Sequence, residues 1–135
     1  MDLYGVMSFG SYVDTCRWLA RKYKLDFDYL YNIVYHKYFT RAAEGKISER
    51  AAFNGPIKEL GLDEDWISLR KKHLSFQRLN RQVLNLARSL QTKGYKILLL
   101  SKNTPYQFKY TVKKFGLRKY FKNITNTYDL GYRKG

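Results

Sequence analysis

The sequence predicts an α/β protein: a partial, doubly wound, Rossmann-like parallel sheet with a helical-bundle cap inserted after the first strand. Three observations predict it. Lys96-Ile97-Leu98-Leu99-Leu100-Ser101 is a short apolar run without alternation, the pattern of a strand buried on both faces of a parallel sheet. Thr104-Pro105 then supplies an N-cap and a first helical residue, with Gly116 as the stop, so a helix follows that strand directly. The long stretch between Met7 and Lys93 carries only helical periodicity. A brief strand, several helices, then strand, helix and strand is the order of an α/β core with an insertion.

The elements follow in turn. Ser8-Phe9-Gly10-Ser11 reads as a turn, after which Val13, Cys16, Ala20 and Tyr23 recur at helical spacing. Asp26 is a candidate N-cap for a second helix striped by Leu30, Val34 and Tyr38, and Gly45 closes it. Ser48 opens a third helix that ends near Gly61. Asn54-Gly55-Pro56 within it predicts a break, because an interior proline removes a hydrogen bond and clashes with the preceding turn. Asp63 is the expected cap of a fourth helix with Trp66, Ile67 and Leu74. Asn80 caps a fifth with Val83, Ala87 and Leu90, stopped by Gly94. A further strand is expected around 123–128. The predicted organisation is residues 1–9 and 93–135 as the partial α/β core and 10–92 as an all-helical cap.

Composition narrows the function classes. With 135 residues the chain can bury a real core, and 44% hydrophobic residues argue for a packed globule. A single cysteine, Cys16, excludes an internal disulfide and a cysteine-cluster metal site, and points to a reducing, cytoplasmic setting. No apolar run approaches the length of a membrane span, and Met1-Asp2-Leu3-Tyr4 lacks the layout of a signal peptide. The net charge of +15 is uneven: residues 1–65 hold 9 basic against 10 acidic side chains, and 66–135 hold 17 basic against Asp129 alone. Such a half attracts phosphorylated or polyanionic partners. A solvated lysine-rich surface is the simpler reading, because no zinc-finger spacing, basic-aromatic strand motif or Gly-x-x-Gly clamp accompanies the charge.

A hydroxyl between a strand end and a helix start, as at Ser101, lies where open α/β sheets bind anions. Asp2-Leu3-Tyr4-Gly5-Val6, Leu98-Leu99-Leu100-Ser101-Lys102-Asn103-Thr104-Pro105 and Gly131-Tyr132-Arg133-Lys134 stand in the order and spacing of three haloacid dehalogenase (HAD) superfamily motifs. Gly45-Lys46-Ile47-Ser48 and Glu59-Leu60-Gly61-Leu62 also resemble the helical cap of its phosphatase-like members. The resemblance covers essentially the whole chain.

The resemblance implies a hydrolase acting on a small phosphorylated metabolite through an aspartyl-phosphate intermediate. Asp2 matches the nucleophile, a carboxylate that needs no deprotonation at neutral pH. Ser101, Lys102 and Asn103 match the phosphate-binding loop, and Lys134 the charge-neutralising lysine. Magnesium is the implied cofactor, with Asp2 as a ligand. Tyr4 departs from the pattern: phosphatases of the family usually carry a second aspartate there as general acid/base, whereas dehalogenating members carry Asp-x-Tyr-Gly. A tyrosine titrates near 10 and is a poor proton shuttle at neutral pH. The acidic pair that completes the magnesium site would lie beyond Gly135, and no apolar residues precede Asp2, so a chain cut at both ends is expected. Carbon–halogen hydrolysis, a catalytically inactive member, and a binding module for anionic partners are the alternatives, nucleic acid being weakly supported. An open strand edge would favour self-association. His36, His73 and Cys16 read as packing or surface residues.

Overall fold

The computed structural model describes residues 1–4, 7–10, 12–101 and 103–126. Local capping chemistry starts most of its helices. α1 (Tyr12–Tyr23) buries Thr15, Cys16 and Leu19. Asp26 accepts from Tyr29 N and opens a continuous helical stretch: α2 (Phe27–Tyr31), a π-helical segment (Asn32–Phe39) and α3 (Thr40–Ala43). The π segment places Ile33, Val34 and Phe39 in the interior. Ser48 accepts from Ala51 N to open α4 (Glu49–Leu60), which ends at left-handed Gly61.

α5 (Trp66–Ser75) starts later than Asp63 would have it. Asp65 is the residue whose carboxylate accepts from Ser68 N, at 3.1 Å, and the helix begins after it. Asn80 caps α6 (Arg81–Thr92), and Thr104 caps α7 (Pro105–Lys114) with Pro105 in its first turn.

Two expectations about the insertion fail. It is not all-helical: β2 (Arg78–Leu79) pairs antiparallel with β1 (Ser8–Phe9), and Asn80 N donates to Met7 O at 2.7 Å. This two-stranded neck ties residues 8–9 to 78–79, a non-local pairing invisible to local periodicity. Nor does α4 break at Pro56. It runs uninterrupted to Leu60, because Pro56 is buried in the helical packing and the bare Cα of Gly55 leaves room for the Tyr38 ring.

The described sheet is small and parallel, and a doubly wound sheet is not seen among the described residues. β3 (Leu98–Ser101) pairs in parallel with β4 (Asn123–Asn126), Ser101 opposite Asn126. On the other side of β3 runs the first segment of the chain: Leu3 N donates to Leu100 O at 2.7 Å, and Leu100 N donates to Met1 O at 2.9 Å. These bonds flank Asp2, which is in register with Leu100.

Two apolar clusters hold the molecule. Leu3, Leu99 and Ile124 of the sheet pack with Leu84 and Ala87 of α6 and with Phe108 and Val112 of α7. Cys16, Leu19, Leu30, Val34, Phe53, Ile57 and Leu69 form the second, among the helices. α6, which the sequence groups with the insertion at 10–92, thus packs against the sheet. No helix among the described residues is long and apolar enough to cross a membrane.

Gly55→Ala tests the packing that carries α4 past Pro56. Alanine is the better helix former by about 1 kcal/mol, but its Cβ would stand 2.1 Å from Tyr38 Cε1. Overpacking of this kind costs about 1–3 kcal/mol, so a net loss of ~1 kcal/mol is expected in urea unfolding. A stabilised variant would show that the Tyr38 ring moves aside freely.

Candidate functional site

Strand register decides which sequence-predicted residues can meet. Along β3, Leu99 and Ser101 are buried while Leu98 is exposed and Leu100 half-buried, and β4 repeats the pattern from Asn123 to Asn126. Side chains alternate between faces, and residues in parallel register share one. Leu3 therefore lies with Ser101 and Asn126 on the inner face, and exposed Asp2 with Leu100 and Thr125 on the outer. Asp2 and Ser101 stand on neighbouring strands but opposite faces. Lys134 and Lys102 lie outside the described residues.

The loop after β3 is held by a residue that the motif comparison missed. Ser101 Oγ donates to Asn126 Oδ1 at 3.0 Å, Asn103 N donates to the same oxygen at 3.0 Å, and Asn126 Nδ2 donates to Asn103 O at 2.8 Å. Asn103 Oδ1 in turn accepts from Thr104 N at 2.8 Å. Ser101, Asn103 and Asn126 are all buried. The proton of Ser101 is thus spent on Asn126, which shapes the strand-to-helix turn. A polar residue in a weak strand pattern was the only sequence signal for Asn126.

Tyr4 is likewise committed. Its hydroxyl donates to Thr111 Oγ1 at 2.8 Å, with Gln107 O at 3.2 Å. Burial pushes the phenol well above the ordinary tyrosine range, against a smaller opposing effect of the Thr111 hydrogen bond. Tyr4 cannot give up a proton at neutral pH.

Thr111 and Gln107, one turn apart on α7, continue this polar contact into the insertion. Thr111 Oγ1 is 3.0 Å from Gln77 Oε1, and Gln107 Oε1 is 3.0 Å from His73 Nε2. His73 Nδ1 is 2.9 Å from Thr15 Oγ1 on α1, and Tyr12 packs against the imidazole at 4.1 Å between ring centres. His73 is wholly buried, so it is more than packing. Its ring joins three helices. Above this seam, Glu49 at the start of α4 accepts from Thr104 Oγ1 and from Arg70, each at 2.7 Å. Cys16 is buried and its thiol is pushed up to about 12 by desolvation, which rules out a thiolate nucleophile.

Among the described residues no group of three or more histidine, cysteine, aspartate or glutamate side chains could hold a metal ion.

No family model and no curated protein matches the sequence. Among solved structures, a HAD phosphatase from Thermococcus onnurineus superposes with a TM-score of 0.51 at 18% identity. The alignment covers 98% of this chain and 63% of that one. The fold is HAD-like. At this identity the likeness is one of fold, and the chain spans less than two thirds of the length of its structural neighbour.

His73 makes stability depend on pH. Desolvation lowers its pKa to about 4 from an ordinary 6.5, against a smaller upward effect of Gln107. The folded state therefore takes up the proton later than the unfolded chain. This contribution is fully present above pH 6.5 and is lost as the pH falls toward 4, amounting to about 2–3 kcal/mol by pH 4.5. Unfolding of wild type and His73→Gln at pH 7.5 and 4.5 isolates it from the carboxylates. The wild type is expected to lose that much more than the variant, and equal losses would refute the assignment.

Proposed function

We propose that this chain is a HAD-like hydrolase module in which Asp2 accepts a phosphoryl group from a small phosphorylated substrate, forming an aspartyl phosphate that is hydrolysed slowly. The observation that carries the reading is the parallel register of Asp2 with Leu100, beside the strand whose end leads through the Ser101–Thr104 turn into α7. The HAD-like fold supports it.

In this reading the Asp2 carboxylate attacks phosphorus as the bond to the leaving oxygen breaks, and water later cleaves the new ester to release phosphate. Ser101 acts as a positioning residue, ordering the turn through Asn126, as does Asn103. Lys102 and Lys134 are assigned to the phosphoryl charge. The division into a core of residues 1–9 and 93–135 and a cap of 10–92 belongs to the same proposal, with α6 sharing the packing of the core.

Tyr4 sets the rate. With its hydroxyl held by Thr111 it neither protonates a leaving group nor activates water, and such help is typically worth about 10²–10⁴-fold. Substrates that depart as stabilised anions, such as aryl phosphates, react first. The same observation favours a second reading, a catalytically inactive module that binds anions without turning them over. Tyr4 also leaves carbon–halogen hydrolysis open, since a halide departs without a proton.

The test is a rapid-quench assay of an activated aryl phosphate, with and without magnesium. A burst of phenol close to one per protein, followed by slow turnover, is expected for wild type and absent for Asp2→Asn. No burst under either condition would favour the anion-binding reading. Fast steady turnover that survives Asp2→Asn would rule out Asp2 as the acceptor.

A further inference from the structure

A concavity of about 410 Å³ opens on the far flank of α7, lined by Phe108, Lys109, Val112, Lys113, Gly116, Arg118 and Lys119. Its chemistry is divided. Phe108 and Val112, one turn apart, form an apolar floor that is continuous with the sheet's core. Lys109 and Lys113, also one turn apart, line one side, and Arg118 and Lys119 of the 3₁₀ turn (Leu117–Lys119) line the other. All four cations are exposed. Among the described residues none of the four is in an ion pair, and Pro105 to Asn126 contains no acidic residue.

Four like charges around a low-dielectric hollow repel one another and focus a positive potential into it. A ligand that relieves the repulsion must be anionic, and one that covers the floor must be apolar. The volume lies within the range of small-molecule sites, about 300–1,000 Å³. Gly116, left-handed at φ 59°, keeps the turn between helix and 3₁₀ segment tight, so both pairs of cations face one hollow.

We propose that this hollow binds a small amphipathic anion: an aromatic or short-chain body seated on Phe108 and Val112, with its acidic group between the two pairs of cations. The site is separate from Asp2 and independent of the reaction assigned to it. A recessed apolar floor suits a free small molecule better than a lipid surface, which needs a protruding apolar edge.

The probes are 1-anilinonaphthalene-8-sulfonate and N-phenyl-1-naphthylamine, which share the ring system and differ in the sulfonate. Fluorescence titration of the full chain is expected to show saturable one-to-one binding of the sulfonate, about tenfold tighter than the neutral probe. Lys109→Glu/Lys113→Glu alters only exposed side chains and should fold. It is expected to remove that tenfold preference and leave the neutral probe's affinity unchanged. Thermal melts of wild type and variant establish that both are folded. Sulfonate binding unaffected by the charge reversal would overturn the proposal. So would unsaturable binding, or binding only to vesicles containing phosphatidylglycerol.

Discussion

The rest of the structure depends on one buried polar seam, built on Gln107 and Thr111 of α7. Thr111 receives the Tyr4 hydroxyl from the first segment of the chain, and Gln107 meets His73 of α5, whose far nitrogen meets Thr15 of α1. The contacts of Gln107 with His73 and of Thr111 with Gln77 exist only while α5 and the segment after it sit against α7. Unmaking such a contact in a buried setting leaves groups that cost about 1–3 kcal/mol each. Apolar packing alone tolerates sliding, whereas hydrogen bonds of fixed direction do not. The seam therefore fixes how α1 and α5 sit against α7, and the β1–β2 pairing ties residues 8–9 to 78–79 beside it. The seam also claims Tyr4, and so has a chemical consequence for the adjacent Asp2 segment.

How much of this was legible in the sequence follows from how local each feature is. Asp26, Ser48, Asn80 and Thr104 all cap where the sequence places them, because a cap is a contact between a side chain and a backbone N–H three residues on. Gly61 and Gly116 end their helices for an equally local reason, a left-handed backbone. Asp63 lost to Asp65, two residues away, where the sequence offers two carboxylates of equal capping chemistry. Pro56 and the Ser8–Phe9 pairing with Arg78–Leu79 were illegible, since both outcomes are decided by residues distant in sequence.

The candidate site divides the same way. The strand-turn-helix unit around Ser101 was readable, and its parallel neighbour carrying Asp2 could be inferred from the motif order. What periodicity could not give was the face on which each side chain falls. A step of one residue in register moves a side chain from one face of a sheet to the other, and that step separates Asp2 from Ser101. Asn126 and His73 were passed over because neither belongs to a spaced motif. Their signal was only that a polar residue occupies a position where an apolar one would continue the pattern.

In the proposed chemistry Asp2 is a phosphoryl acceptor whose acyl phosphate persists because no acid/base group assists at Tyr4. Borohydride reduction of the protein after exposure to an acyl phosphate, followed by peptide mass analysis, tests this directly. Conversion of residue 2 to homoserine is the predicted result, since hydride reduces an acyl phosphate and leaves a free carboxylate intact. An unmodified Asp2, with protein and phosphoryl donor both intact before reduction, would contradict the account.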